Sequence, residues 1–338
     1  MAGRWGPGER ARHRLGAAAA LLDPGGRAWV LVERDADRSL GPALVWAERH
    51  GVSDLHLLAG APDRAGGTAA AGLLARQAAY FTAPPAVWAV APAGTDGAPD
   101  APVPALVPAP PAPVPARAEA PAPTDLVDLL IDAGLEIVVE GGLVRGEVNG
   151  LEVARIVAGT TTAGEPIDTP QLEVGVGKAD RELTALVHGG LPPVDQLARV
   201  VEIVRAHRRP GAPRHPLNQL VPDRWLRAVL CRAPGLVGLA SLRPAEGARP
   251  RRDLSERGVA VATGETGDGV PVVVACTVGM ALDLVPTAAD ARATVAPGAR
   301  LLLAVPARDD HPGTRRLAAR LKEPAEVVTI PGDWGALA

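Results

Sequence analysis

Between Ala91 and Pro123 about a third of the positions are proline, and most of the rest are alanine or small polar residues. Proline removes amide donors, and its alternation with alanine offers no amphipathic face, so this stretch cannot build a core. It predicts an extended, disordered spacer that splits the chain. Pro108, Pro110, Pro111 and Pro113 also suit an aromatic groove that reads polyproline, although a plain linker needs less. At 338 residues and 47% hydrophobic content, the remaining sequence is long and apolar enough for more than one folded region.

The expected fold class is α/β, with boundaries at 1–90, 91–123, 124–220 and 221–338. Ahead of the spacer, the apolar runs 28–32, 55–59 and 87–90 alternate with two helical patterns, the rhythm of a three-stranded parallel unit with crossovers. The first pattern carries Leu40, Ala43, Leu44 and Ala47 at helical spacing, with Ser39 placed to cap it and Gly51 to stop it. After the spacer, a helix begun by Thr124 and ended by Gly134 leads into β-rich runs at 136–140, 143–157 and 172–176. A helix over 193–208 completes an α+β module. Asn149-Gly150 marks a bend in the second run. The last region returns to α/β, with strands at 271–278, 301–305 and 326–330 and a hairpin turn at Asp268-Gly269.

Arg10 to Arg14 followed by Leu15 to Leu22 imitates a secretion signal, but Asp23, Pro24 and two glycines cut the apolar run short. No run approaches the roughly 18 apolar residues of a membrane helix, so no membrane partner is expected. Two cysteines are too few for a disulfide framework, which suits a soluble, cytoplasmic protein. The formal charge of -3 conceals an asymmetry: residues 199–257 hold thirteen arginines against five acids. That segment is the expected contact for a nucleic acid or protein partner, with Arg208, Arg209 and Arg214 as its phosphate-facing cations. Helix capping and solubility explain the same charges, and at 2% aromatics there are few rings for base stacking.

Lysine occurs twice, and Lys178 closes an apolar run beside Glu173. A compact ammonium can steer water or phosphate where arginine's planar fork would not fit. Glu147, Glu152, Glu173 and Lys178, between a preceding and a following helix, resemble the restriction-endonuclease-like nucleases over residues 124–208. The resemblance implies that the three acids hold Mg²⁺ and that Lys178 orients the water attacking a phosphodiester. That family places its lysine two residues after the last acid; here the separation is five, and a bulge at Gly175 or Gly177 would be needed to bring both to one face. The bland reading makes Lys178 ordinary surface charge. The run Gly175-Val176-Gly177-Lys178 lacks the remaining residues of a phosphate loop.

A third candidate lies at strand ends of the last region, where α/β sheets gather ligands. Asp283, Asp309, Asp310 and His311 would line a small-molecule pocket, or simply start helices. These candidates leave three functions: a non-catalytic interaction protein contacting nucleic acid through its arginines, a Mg²⁺-dependent nuclease, or a small-molecule enzyme or sensor. Of these the first requires no missing motif.

Overall fold

The computed structural model describes residues 11–15, 18–60, 66–90, 105–116, 124–160, 166–188, 192–213, 215–247, 251 and 253–337. The protein is of the α/β class: its described residues form three sheets interleaved with helices. They divide into two compact units that are not sequential. One comprises Met1–Pro115, Leu282–Asp290 and His311–Glu326; the other comprises Ala116–Ala281, Ala291–Asp310 and Val327–Ala338.

The first unit is built on a six-stranded sheet whose strands lie in chain order: β1 (Ala11–Leu15), β2 (Ala18–Leu22), β3 (Arg27–Val32), β4 (Asp54–Gly60), β5 (Ala86–Val90) and β6 (Leu106–Pro108). The expected core of β3, β4 and β5 is parallel, joined by α1 (Leu40–Arg49) and α2 (Gly66–Ala78). Leu40, Ala43, Leu44 and Ala47 of α1 are buried as their spacing requires, and Gly41, Val45 and Trp46 are buried with them. Ser39 stands at the N-cap position of that helix, as expected, but its hydroxyl makes no capping bond and donates to the Asp35 carbonyl, 2.8 Å away. The apolar run near the amino terminus belongs to the sheet. It contributes to β1 and β2: β1 pairs antiparallel with β2, and β2 pairs antiparallel with β3, because short apolar runs suit strands that bury one sheet face.

Part of the proline-rich spacer is ordered, contrary to the expectation of disorder throughout. Leu106–Pro108 pairs antiparallel with β5, the Ala109 amide donates to Val87, the Ala112 amide to Gly72, and Arg76 donates to the Pro113 carbonyl. Proline is tolerated there because β6 is an edge strand and needs only one hydrogen-bonding side. Residues 91–104 and 117–123 lie outside the described residues.

The second unit contains two sheets. One is a four-stranded antiparallel meander, β7 (Glu136–Glu140), β8 (Leu143–Val148), β9 (Leu151–Thr160) and β10 (Pro166–Val174). The turn between β8 and β9 is the predicted one, Asn149 and Gly150 both having positive φ, 48° and 74°. One sheet face is apolar. Val144, Leu151, Ala154 and Val174 pack there in a core with Leu130 of α3 (Thr124–Asp132) and Leu197, Val201 and Val204 of α5 (Pro193–His207).

The other sheet orders β11 (Ser241–Ala245), β12 (Ala260–Glu265), β13 (Pro271–Cys276), β14 (Arg300–Pro306) and β15 (Glu326–Ile330). The Asp268-Gly269 hairpin joins β12 to β13 as expected, and β13 runs parallel to β14. Two helices are present that the expected elements do not include. Gly177–His188 is α4, and Pro222–Arg232 is α6, whose Leu226, Val229 and Leu230 enter the core of this sheet with Cys276. α6 thus binds the two sheets of this unit together, so the expected boundary at residue 220 does not separate two folded regions. Helices α7 (Leu284–Val295) and α8 (Pro312–Ala319) connect β13 to β14 and β14 to β15.

Candidate functional site

The register of the meander puts its charges on one face. Glu136 opposes Glu147, Val138 opposes Arg145, and Arg155 opposes Glu173, while an irregularity after Gly146 sets Glu147 opposite Glu152. Strand alternation leaves the apolar residues on the opposite face, under α3 and α5. So many charges could not be buried separately, and they are paired in an alternating chain. Arg227 Nη2 donates to Glu147 Oε2 at 2.6 Å, and Arg224 Nη1 to Glu147 Oε1 at 3.2 Å. Arg224 also grips Glu140, and Arg145 links Glu140 to Glu152. From there Arg181 Nη1 lies 3.0 Å from Glu152 Oε1 and Arg181 Nε lies 3.4 Å from Glu173 Oε2, which Arg155 Nη2 reaches at 2.7 Å. Arg224 and Arg227 come from α6, Arg181 from α4, and the rest from the sheet.

This arrangement sets the ionisation of its members. Burial pushes the Glu140 carboxyl up, but Arg224, Arg227 and Arg145 outweigh it and hold it below the usual carboxylate range. Burial opposes charge on Arg227, yet Glu147 and Glu140 overcome that cost and keep the guanidinium charged. At the edge of the network burial wins: the Glu136 carboxyl is raised despite Arg232 beside it.

Glu147, Glu152 and Glu173 share a sheet face, but each already has guanidinium partners. Lys178 does not join them. Its side chain is 86% exposed and its Nζ lies 3.8 Å from Glu182, one turn along α4. Gly175 and Gly177, at φ 139° and 77°, do not form a bulge in a continuing strand; they turn β10 into α4. The helix begins with Asp180 accepting from the Val176 amide at 2.7 Å. Among the described residues no three His, Cys, Asp or Glu side chains are grouped to hold a metal ion.

The arginine-rich segment divides into two sets. Arg208, expected on the surface, is fully buried. Its guanidinium donates to the carbonyls of Asn149 (2.9 Å), Leu217 and Leu220 (2.8 Å each) and Val221 (3.3 Å), and lies 4.7 Å from the Trp225 ring centroid. Burial lowers its pKa to about 10. Four carbonyls converging on one buried point need a multi-armed donor, and arginine supplies five N–H groups in a fixed fork. Arg209 is exposed, and Arg214 lies outside the described residues.

Exposed Arg205, Arg209 and Arg232 line one recess of about 710 Å³, together with Glu136, Asn149 and Cys231. Each of the three is tethered: Arg205 donates to the Ala133 and Gly134 carbonyls, Arg209 to Ala206, and Arg232 pairs with Glu136. Burial pushes the Cys231 thiol up to about 12, so it is no nucleophile at neutral pH.

The four residues of the expected small-molecule pocket serve the backbone where their contacts are defined. Asp309 Oδ2 accepts from the Gly279 amide at 2.7 Å, and His311 Nδ1 accepts from the Gly313 amide at 3.0 Å, which caps α8. Asp283 and Asp310 are half-buried beside the starts of α7 and α8. Asp290, a further carboxylate of α7, is buried in the first unit, where Arg76 grips it through both Nε (2.7 Å) and Nη2 (2.9 Å) and Tyr80 donates at 3.0 Å.

The role of Arg224 and Arg227 is one that sequence reasoning misses. Pro222-Asp223 followed by cations three residues apart and apolar residues between them is the available signal of a helix buried on two sides. The described architecture defines an α/β protein with an arginine-neutralised sheet face. No protein-family model, curated protein or solved structure compared with the chain matches it.

Proposed function

We propose that the chain is a non-catalytic interaction protein that holds a nucleic-acid backbone against Arg205, Arg209 and Arg232. The observation that carries this reading is the gathering of three exposed, tethered guanidinium groups around one 710 Å³ recess. Tethering lowers the entropy lost when a phosphate is gripped, and each fork keeps donors beyond those its tether uses. No aromatic side chain lines the recess, which favours contact with a duplex backbone over stacking of unpaired bases. Cys231 and Cys276 are both free thiols, in keeping with a cytoplasmic setting. No helix among the described residues is long and apolar enough to cross a membrane.

Magnesium-dependent hydrolysis would require carboxylates open to the metal. Here a divalent ion would have to displace guanidinium groups from Glu147, Glu152 and Glu173, so binding is favoured over cleavage. The test is duplex binding across a salt series. Three phosphate contacts give a slope of log K against log salt near about -2.7, and replacing Arg209 and Arg232 by alanine removes about two-thirds of it. Salt-indifferent binding, or a double variant that binds like the parent, overturns the proposal.

A further inference from the structure

A second surface of the same unit has the opposite charge. A groove of about 910 Å³ runs along α3 and α5. Leu129, Ala133, Leu197 and Val201 form its apolar floor, and Val194 opens one end with 53% of its surface exposed. Ile131 and Ile203, on the same two helices, are also more than half exposed. Around this floor stand Asp125, Asp128, Asp132 and Glu202, all exposed, against the single cation Arg205. Apolar side chains left in water on two adjacent helices mark an interaction face, and the acids say what kind of chain it suits.

We propose that this groove docks an amphipathic helix of a partner protein, one with an apolar stripe flanked by lysine or arginine. The α5 residues that line the groove run from Val194 to Ala206, about 18 Å of helix, which matches three turns of an incoming helix. Its residues at i, i+3 or i+4, and i+7 would fill the floor while its cations meet the four carboxylates. A second copy of this chain fits less well, because a two-fold pairing of the groove with itself would set acids against acids. Nucleic acid and anionic membranes are repelled by the same rim. The proposal is independent of phosphate contact at Arg209 and Arg232, so either can fail alone.

Fluorescence anisotropy with the full chain tests it. The probe is a labelled peptide of about 15 residues, leucine at helical three-to-four spacing with lysine between; its controls are the leucine–glutamate counterpart and a peptide of the same composition with the spacing scrambled. Saturable binding of the lysine peptide is expected, weakened at least about tenfold in both controls, in Asp128→Lys/Asp132→Lys and in Val194→Asp, and weakened by added salt. The substituted residues are exposed, and an unchanged Tm and circular dichroism spectrum show that each variant is folded. Failure of the lysine peptide to bind, equal binding of either control, or variants that bind like the parent would overturn the proposal. So would a dimer in sedimentation that Asp128→Lys/Asp132→Lys dissociates, since the occupant would then be a second copy.

Discussion

Arg208 shows how little the identity of a residue says about where it goes. Arginine-rich composition suggests solvent, yet this side chain joins the β8–β9 turn, the 217–221 loop and the face of Trp225. Its removal would leave buried carbonyls without donors, each costing about 1–3 kcal/mol. Arg208→Ala is therefore expected to lower stability by at least about 3 kcal/mol in chemical denaturation, and Arg208→Lys to restore little, since an ammonium cannot reach the same carbonyls as a planar fork. A loss below about 1 kcal/mol in the alanine variant would show that water replaces the guanidinium without penalty. The reason this is illegible in the sequence is physical: charge runs signal an electrostatic sum, while burial depends on which backbone groups the fold leaves unpaired.

At the scale of elements, local signals are reliable where backbone geometry dictates residue type. The Asn149-Gly150 and Asp268-Gly269 turns and the buried stripe of α1 are readable because each depends on neighbouring residues alone. The elements that escape are those whose reason is distant. α6 carries arginines on one side and leucine and valine on the other, the periodic pattern of a helix with one side in solvent, yet both sides are buried against sheets. Near Lys178 the two glycines are as compatible with a bulge as with the helix start they form, because both need the same backbone freedom. The contact between α6 and the β8–β9 turn is unusually close: a Cβ added at Gly150 would lie 2.3 Å from the Arg224 backbone carbonyl, at a φ of 74°. Gly150→Ala should combine backbone strain with overpacking and cost about 2–4 kcal/mol. Thermal unfolding would register this as a Tm lower by at least about 5 °C, and an unaltered Tm would mean that α6 can move away freely.

For the whole molecule, the charged sheet face makes stability depend on pH. Glu140 is held below its free value of 4.5, so the folded state binds fewer protons than the unfolded chain as the medium becomes acidic. Its contribution is fully present above pH 4.5 and is lost as pH falls through the lower folded value. Glu136, raised by burial, slopes the other way and offsets part of the loss. Denaturant titrations from about pH 7 down to about pH 3 should show Glu140→Gln less stable than the parent at neutral pH, with the gap closing on the acid side. A constant gap would mean that Glu140 does not titrate in this range.

The discontinuity of the first unit bears on how the chain is made. Its helix α1 places Gly41 where an added Cβ would lie 1.8 Å from the Leu282 carbonyl, and its membership includes residues as late as Glu326. Translation proceeds from the amino terminus, so the early strands emerge from the ribosome and wait, incompletely covered, until residues as late as Glu326 have been synthesised. Closing contacts across so long a stretch of chain slows folding and lengthens the interval in which chaperones or proteases can intercept it.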